Sequence, residues 1–187
     1  MTDLTNRKNP WKTLKSAKVY ENNWIKLSHN DVITPRNQEG IYGVVHFKNR
    51  AVGIVPYEDG NIWLVGQYRY ALNAYSWEIP EGGSPFGEAI EDSALRELEE
   101  ETGITAKTLT PLFDIHLSNS VTDEWGRVFL ATDLTQGDSM PEHTEDISVR
   151  KISLTNFYDE VESGEITDSL TVAACYKLML MKARGEL

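Results

Sequence analysis

Three glutamates near the middle of the chain are spaced so that they can share one side of a helix. Glu97, Glu100 and Glu101 stand at positions i, i+3 and i+4, and residues at those spacings are neighbours on a helical surface. On an exposed helix such like-charge pairs each cost roughly a few tenths of a kcal/mol. Carboxylate oxygens are also the ligands that hard cations such as Mg²⁺ prefer. The cluster therefore indicates a site where divalent cations could hold a diphosphate and activate a water.

The segment around this cluster, residues 82–104, carries much of the protein's negative charge. It holds seven acidic side chains and one basic one, and so contributes −6 of the net charge of −11. Ile90, Ala94, Leu95 and Leu98 occupy another side of the same predicted helix, so that side can pack on a core. An ordinary solvated acidic surface is the alternative interpretation. A surface this negative would repel nucleic acid, so a DNA-binding module is a poor match.

Fixed residues on both sides of the cluster favour the cation site. Nine positions follow the order Gly82, five residues, Glu88, seven residues, Arg96-Glu97-Leu98, one residue, Glu100-Glu101, one residue, Gly103-Ile104. They match the complete signature of the Nudix hydrolases, so the segment is identified as a Nudix box. At ordinary residue frequencies such a match is expected by chance on the order of 10⁻⁹ times per starting position.

The resemblance implies a fold and a metal site. In Nudix hydrolases the box forms a loop, a helix and a second loop on an α/β/α sandwich with a mixed sheet. The box glutamates bind divalent metals, with Mg²⁺ expected, Mn²⁺ able to replace it, and roughly two or three ions per site. The implied metal ligands are Glu97, Glu101, Glu100, which is also a catalytic candidate, and the backbone carbonyl of Glu81. The residues implied to be structural are Gly82, Glu88, Gly103 and Arg96, which orients the glutamates.

The segment before the box narrows the substrate. The stretch "QYRYALNAYSWEIPEGG" resembles ADP-ribose pyrophosphatases and related nucleoside diphosphate sugar hydrolases, which carry Gln-x-Arg and then Glu-apolar-Pro-x-Gly. Glu81 departs from the usual alanine, although only its backbone carbonyl is needed for the metal. Arg69 is expected to bind phosphate, although it could be an ordinary strand-end charge. The substrate-binding candidates are Arg69, Gln67, Glu78, Trp24 and Glu124.

The catalytic base is expected in the C-terminal part of the chain. The stretch from His143 to Leu180 resembles the end of the same branch, where a Glu-Asp-apolar triplet enters a strand. In that branch the glutamate lies on a loop over the metals and acts as base or metal ligand. The resemblance implies Glu145 as catalytic base and metal ligand, with Glu142 in reserve. Both could instead be solvated loop acids.

Strand and helix patterns supply the elements that must position these residues. The stretches "AVGIVPY" and "NIWLVGQYRY" flank Asp59-Gly60 and predict a β-hairpin. Further strands are predicted over 109–117, 127–134 and 146–153. Helices are predicted over about Pro85–Thr102, with Ser84 as cap and Gly103 at the end, about Leu154–Ser163, stopped by Gly164, and about Asp168–Ala183. Together they predict an α/β fold, with helices on both faces of a mixed sheet.

Residues 1–48 are predicted to form an N-terminal arm and antiparallel β extension, ahead of a Nudix hydrolase domain over 49–187. Residues 1–16 are polar without clear periodicity and are interpreted as an arm, whereas 19–47 read as strands. In the ADP-ribose pyrophosphatase branch such a region helps to form a homodimer and part of the base-binding site. A decorative extension is the alternative. Trp24 could stack on a base or belong to the core.

The leading functional hypothesis is metal-dependent hydrolysis of nucleoside diphosphate sugars to a nucleoside monophosphate and a sugar phosphate. ADP-ribose, ADP-hexoses and GDP-mannose are all candidates, because Asn119-Ser120 replaces the proline of dedicated ADP-ribose pyrophosphatases. Asp123 or Glu124 of that loop could touch the sugar. The alternatives are another nucleotide class, such as a nucleoside triphosphate or dinucleoside polyphosphate, and a non-catalytic nucleotide sensor.

Composition predicts the compartment and excludes some partners. No apolar run approaches the ~20 residues that cross a bilayer, so no membrane partner is expected. A single cysteine, Cys175, excludes an internal disulfide framework and fits a reducing, cytoplasmic location.

Overall fold

The structure is a computed structural model of the 187-residue chain that describes residues 8–138 and 146–187. The chain divides into two compact units. The first comprises Met1–Lys48 and Ser118–Glu124, and the second comprises Asn49–Leu117 and Trp125–Leu187.

The first unit contains a three-stranded antiparallel sheet. Its strands are β1 (Lys12–Glu21), β2 (Ile25–Ile33) and β3 (Glu39–Phe47), in the order β1-β2-β3. This confirms the predicted antiparallel β extension. The interpretation of residues 1–16 as an arm is wrong for 12–16, which belong to β1. Every residue of β1 is exposed, and the strand is held by backbone pairing with β2. Because neither face of β1 is buried, its sequence does not alternate between apolar and polar residues.

Segment 118–124 completes the outer edge of β3. The Val45 amide donates to the Val121 carbonyl at 2.9 Å, and the Tyr42 hydroxyl donates to the Ser120 carbonyl at 2.5 Å. These backbone and side-chain bonds make the segment part of the N-terminal unit, although it lies far along the chain.

A hydrogen-bonded chain of three side chains reinforces this attachment. Ser28 Oγ lies 3.0 Å from His46 Nε2, and His46 Nδ1 lies 2.6 Å from Asp123 Oδ2. The other oxygen of Asp123 accepts the Phe47 amide at 2.9 Å. Ser28 is 6% exposed on the middle strand, so the chain ties the segment to the sheet, and Asp123 is engaged there.

The second unit is built on a mixed sheet. Its strands are β4 (Asn49–Glu58), β5 (Asn61–Arg69), β6 (Ala74–Glu78), β7 (Glu81–Pro85), β8 (Ile104–His116), β9 (Trp125–Gln136) and β10 (Ser148–Ser153). The order is β10-β5-β4-β9-β8, with β6 paired to β5 and β7 paired to β4. The β4–β9 pair is parallel and the others are antiparallel. At the predicted hairpin, Asp59 and Gly60 both have positive φ, 48° and 76°, as a two-residue type I′ turn requires.

Three helices cover the two faces of this sheet: α1 (Ile90–Thr102), α2 (Leu154–Ser163) and α3 (Ser169–Ala183). On one face, α1 packs in a cluster that contains Val52, Ile54, Ile90, Ala94, Leu98, Phe129 and Ala131. On the other, α2 and α3 pack in a cluster that contains Val55, Val128, Leu130, Phe157, Leu170, Ala174 and Leu178. Alternate residues of β4 and β9 thus enter opposite clusters, which confirms the predicted α/β/α sandwich. None of the described helices combines the length and apolar content needed to span a bilayer.

The predicted start of α1 at Pro85 is wrong. Ser84 and Pro85 belong to β7, and the helix is preceded by Ala89, which has no side-chain cap. The Ser84 side chain is fully buried and accepts from Arg50 Nη2 at 2.8 Å. The same nitrogen donates to the carbonyls of Pro85 at 3.1 Å and Glu88 at 2.6 Å. Arg50 therefore holds the loop before α1, and Ser84 cannot act as its cap.

Candidate active site

The Glu97 carboxylate packs directly on the backbone of Gly82, where α1 faces β7. A Cβ atom at Gly82 would lie 2.1 Å from the carboxylate carbon of Glu97. Gly82 is not among the residues with positive φ, so its backbone is open to any residue. Close approach of the carboxylate, and not a special turn, is what requires glycine here.

Glu101 joins the last turn of α1 to the first residue of β7. Its side chain is buried, and its Oε2 accepts the backbone amide of Glu81 at 3.0 Å. Gly103 then ends the helix in the left-handed conformation, with φ of 71°, and its amide donates to the Glu99 carbonyl at 2.8 Å. The helix end and the Glu81 backbone are thereby fixed against each other.

Arg96 bridges two of the box carboxylates. Its Nη1 donates to Glu97 Oε1 at 2.9 Å and to Glu100 Oε2 at 3.1 Å, and its Nη2 donates to the Gly83 carbonyl at 3.1 Å. Glu88 lies within 3.8 Å of the same guanidinium. Burial alone would lower the pKa of Arg96, but the charges and hydrogen bonds of Glu97 and Glu100 raise it. The arginine therefore stays charged and sets the positions of both carboxylates.

The donor set fits a hard divalent cation in its chemistry. Glu97, Glu100 and Glu101 supply carboxylate oxygens from successive turns of one helix, and Glu81 lies beside them on β7. All are oxygen ligands of the type that Mg²⁺ and Mn²⁺ accept.

A second acidic cluster adjoins the box and was not predicted as such. Within residues 8–138 and 146–187, Glu78, Glu81 and Asp168 place carboxylate oxygens within 4.8 Å of one another. Asp168 also caps α3, since its Oδ2 accepts the Thr171 amide and hydroxyl, both at 2.8 Å. Thr171 Oγ1 in turn accepts the Ile79 amide at 3.0 Å. This contact between α3 and Ile79 brings Asp168 to the site, whereas the sequence indicated Asp168 as the start of the last helix and not as a site residue.

Arg69 lies between two carboxylates of this cluster. Its Nε donates to both Glu78 oxygens at 3.0 Å, its Nη2 donates to Glu78 Oε2, and the same Nη2 donates to Glu81 Oε1 at 2.8 Å. Burial, together with the nearby charges of Asp168 and Glu78, raises the pKa of Glu81 well above its ordinary value. The Glu81 side chain is therefore engaged, contrary to the expectation that only its carbonyl matters.

The remaining predicted residues lie in different parts of the fold. Gln67 is on β5, opposite Ser76 of β6. Trp24 belongs to the N-terminal unit and is 67% exposed, so the interpretation of Trp24 as a core residue is wrong. Glu124 ends segment 118–124 of that same unit, where its amide donates to Thr122 Oγ1 at 3.4 Å. The two base candidates, Glu142 and Glu145, lie outside the described residues.

Comparison with known proteins gives two family matches and several relatives. The NUDIX domain model matches residues 47–168, and the nucleoside diphosphate sugar hydrolase N-terminal domain matches residues 11–45. "ADP-ribose pyrophosphatase" of Bacillus subtilis is 34% identical over 174 residues, which cover 92% of this chain and 94% of the relative. "Methanol dehydrogenase activator" of Bacillus methanolicus is 32% identical over 176 residues, with the same coverage. A crystal structure of "ADP compounds hydrolase" has a TM-score of 0.84 over 95% of this chain and 97% of that chain; at 22% identity it shows a common fold.

Proposed function

The chain belongs to the NUDIX family, and from this premise we propose that it hydrolyses the diphosphate bond of nucleoside diphosphate sugars. The products are a nucleoside monophosphate and a sugar phosphate. The observation that carries the proposal is the complete box, folded so that Glu97 and Glu101 lie against Gly82 and Glu81. The match of residues 11–45 to a nucleoside diphosphate sugar hydrolase domain and the similarity to an ADP-ribose pyrophosphatase support this substrate class.

Divalent cations are typical of the family, and the oxygen donors of Glu97, Glu100, Glu101 and the Glu81 carbonyl would hold them. We propose Mg²⁺, with Mn²⁺ as a substitute and two or three ions in each site. A bound divalent cation supplies positive charge that offsets the charge of the diphosphate oxygens. Arg96 keeps Glu97 and Glu100 in place through its 2.9 and 3.1 Å contacts.

The chemical step is attack of a water oxygen on one phosphorus, which breaks the bond from that phosphorus to the bridging oxygen. We propose that Glu145 accepts the proton of this water, with Glu142 as the alternative. Arg69, Gln67 and Glu78 are proposed to act on the substrate from the β5–β6 hairpin. Trp24 is proposed to stack on the base of the substrate, and Glu124 is proposed to contact its sugar.

We further propose a homodimer formed through the N-terminal unit. β1 lies at one edge of its sheet, and an edge strand offers unpaired backbone groups to another chain. Its Leu14, Val19 and Tyr20 are 59%, 61% and 52% exposed, which is more apolar surface than an edge strand facing only water needs. Light scattering should give twice the mass of one chain, and Leu14→Glu with Val19→Glu should reduce it to the monomer. The cytoplasmic location stays a prediction that cell fractionation tests.

The proposed activity is tested with a panel of ADP-ribose, ADP-hexoses, GDP-mannose, a nucleoside triphosphate and a dinucleoside polyphosphate. Products are identified by mass, in ¹⁸O-labelled water and with Mg²⁺, so that the labelled product also shows which phosphorus is attacked. A monophosphate plus a sugar phosphate is expected. Release of inorganic pyrophosphate from the triphosphate as the main reaction would favour the alternative nucleotide class. Binding without turnover would favour a sensor.

Glu97→Gln tests the metal-site residues within this assay. The substitution keeps the size of the side chain but removes its charge, so kcat should fall by about 100-fold or more. Glu99→Gln is the matched control, because Glu99 is exposed on the same helix. Full activity of the Glu97 variant would contradict the assignment.

A further inference from the structure

The Glu81 side chain makes contacts that are separate from the proposed role of its backbone carbonyl as a metal ligand. The carboxylate lies on β7, directly before Gly82 of the box, and its Oε1 accepts from Arg69 Nη2 at 2.8 Å. Its Oε2 is buried and has no hydrogen-bond partner among the described residues. The side chain is thus directed into the protein toward Arg69 and away from bulk solvent.

Glu78 and Glu81 hold Arg69 in two different ways. Glu78 is on β6, which pairs with the strand that carries Arg69, so its ion pair is internal to the β5–β6 hairpin. Glu81 is on β7, and its own backbone amide donates to the carboxylate of Glu101 on α1. The Glu81 contact is therefore the link that runs from Arg69 to the box helix.

The contacts leave one nitrogen of the guanidinium available. Nε and Nη2 are engaged by Glu78 and Glu81, whereas Nη1 makes no hydrogen bond to a described residue. About a third of the Arg69 side chain, 35%, is exposed. Such a guanidinium, fixed along one edge and open at one nitrogen, can direct a single N–H at an anionic oxygen.

We propose that Glu81 is a positioning residue, whose carboxylate fixes Arg69 relative to the box so that Nη1 meets an oxygen of the substrate diphosphate. This inference rests on the proposed function. It also accounts for the unfavourable setting of Glu81, whose carboxylate lies close to those of Glu78 and Asp168 and keeps one buried oxygen without a hydrogen bond to a described residue. A purely structural residue would not be expected where like charges and desolvation oppose it.

The first test is ADP binding by calorimetry in EDTA, which reads the diphosphate contact without turnover. Loss of a negative charge near an anion would by itself tighten binding. If Glu81 positions Arg69, Glu81→Ala instead weakens ADP binding, by about tenfold. Glu81→Gln keeps an oxygen acceptor for Nη2 and should stay within about threefold of the parent. Tighter ADP binding by Glu81→Ala, or equal loss in both variants, overturns the proposal.

The second test is a double-mutant cycle on kcat/KM with the substrate that the panel identifies. Glu81→Ala should lower kcat/KM by about tenfold in the parent and by less than about twofold in the Arg69→Ala background, because Glu81 acts through Arg69. If the losses of the two single variants multiply in the double variant, Glu81 does not act through Arg69. That result overturns the inference, provided that the parent is active. Absence of any turnover by the parent would instead contradict the proposed function.

Stability measurements separate positioning from support of the fold. In Glu81→Ala, Arg69 keeps its pair with Glu78 and a buried carboxylate oxygen without a hydrogen bond to a described residue is removed, so the midpoint of thermal unfolding should stay equal or rise. A marked fall would assign Glu81 to the fold. Glu58→Ala is the matched control in the same unit, because it removes an exposed ion pair with Lys151 of 3.0 Å and should leave ADP binding and turnover unchanged.

Discussion

Gly82→Ala should inactivate the enzyme without unfolding it. The added Cβ would lie 2.1 Å from the Glu97 carboxylate carbon and 2.3 and 2.5 Å from its two oxygens, whereas ordinary contact begins at 3.4 Å. The carboxylate must therefore retreat by 3.4 − 2.1, or about 1.3 Å. A displacement of roughly 1 Å in a positioned group can cost ~100-fold in rate, which corresponds to about 2.7 kcal/mol at 1.36 kcal/mol for each factor of ten.

The effect on stability should be small for two reasons. The obstructing atoms belong to the end of a flexible side chain, and the backbone of Gly82 does not have positive φ. Alanine also restricts the unfolded chain, which stabilises a protein by about 0.4–1 kcal/mol where the conformation is allowed. We therefore expect the free energy of unfolding to change by less than about 1 kcal/mol.

The assay for this variant measures kcat over a Mg²⁺ titration, with thermal unfolding in parallel. Gly43→Ala is the matched control, since it adds a methyl group to β3 with nothing within 4 Å. It should match the parent in both measurements. Activity of Gly82→Ala within about threefold of the parent would refute the steric argument, and a large loss of stability would show that the glycine serves folding.

Three further predictions concern the rest of the chain. Leu98→Ala should destabilise the protein by about 2–5 kcal/mol in denaturant unfolding, because Leu98 is fully buried, whereas Leu180→Ala at a position 46% exposed should change it by less than about 0.5 kcal/mol. The Cys175 thiol should not react with a disulfide reagent at pH 8 until the protein unfolds, because burial raises its pKa to about 12; rapid labelling of the native protein would contradict this. The hydrogen bonds and charges of Lys18 and Lys48 together lower the pKa of Glu21 from 4.5 to about 2, so the small, salt-screened contribution of Glu21 to stability is present above pH 4.5 and lost as the pH falls toward 2. The difference in thermal midpoint between the parent and Glu21→Gln should shrink over that window, and a constant difference would show that the ion pair is not its source.

Local signals made parts of the fold predictable. The helix from Leu154 to Ser163 has Ser153 before it and Gly164 after it, and the structure shows both acting as caps, with φ of 80° at Gly164. Asp59-Gly60 likewise has one favoured turn. The Nudix box could also be identified from the sequence, because its fixed residues lie within one short segment.

Tertiary contacts account for what could not be predicted. Ser84 and Pro85 carry the signals of a helix start, but Arg50 and the pairing with β4 hold them in a strand. β1 has no buried side, so its sequence shows no strand period. Asp168 reaches Glu81 only through the packing of α3, which no spacing along the chain can show.

Segment 118–124 is synthesised well after the N-terminal strand that it pairs with. The acceptor of the Tyr42 hydroxyl and the carboxylate partner of His46 lie 78 and 77 residues further along the chain. At a synthesis rate of about 5–20 residues per second, the N-terminal sheet waits roughly 4–15 s for them. During that interval the outer edge of β3 is open to pairing with other chains. A ribosome-bound chain stopped before residue 118 should therefore be more prone to association than one stopped well after residue 124.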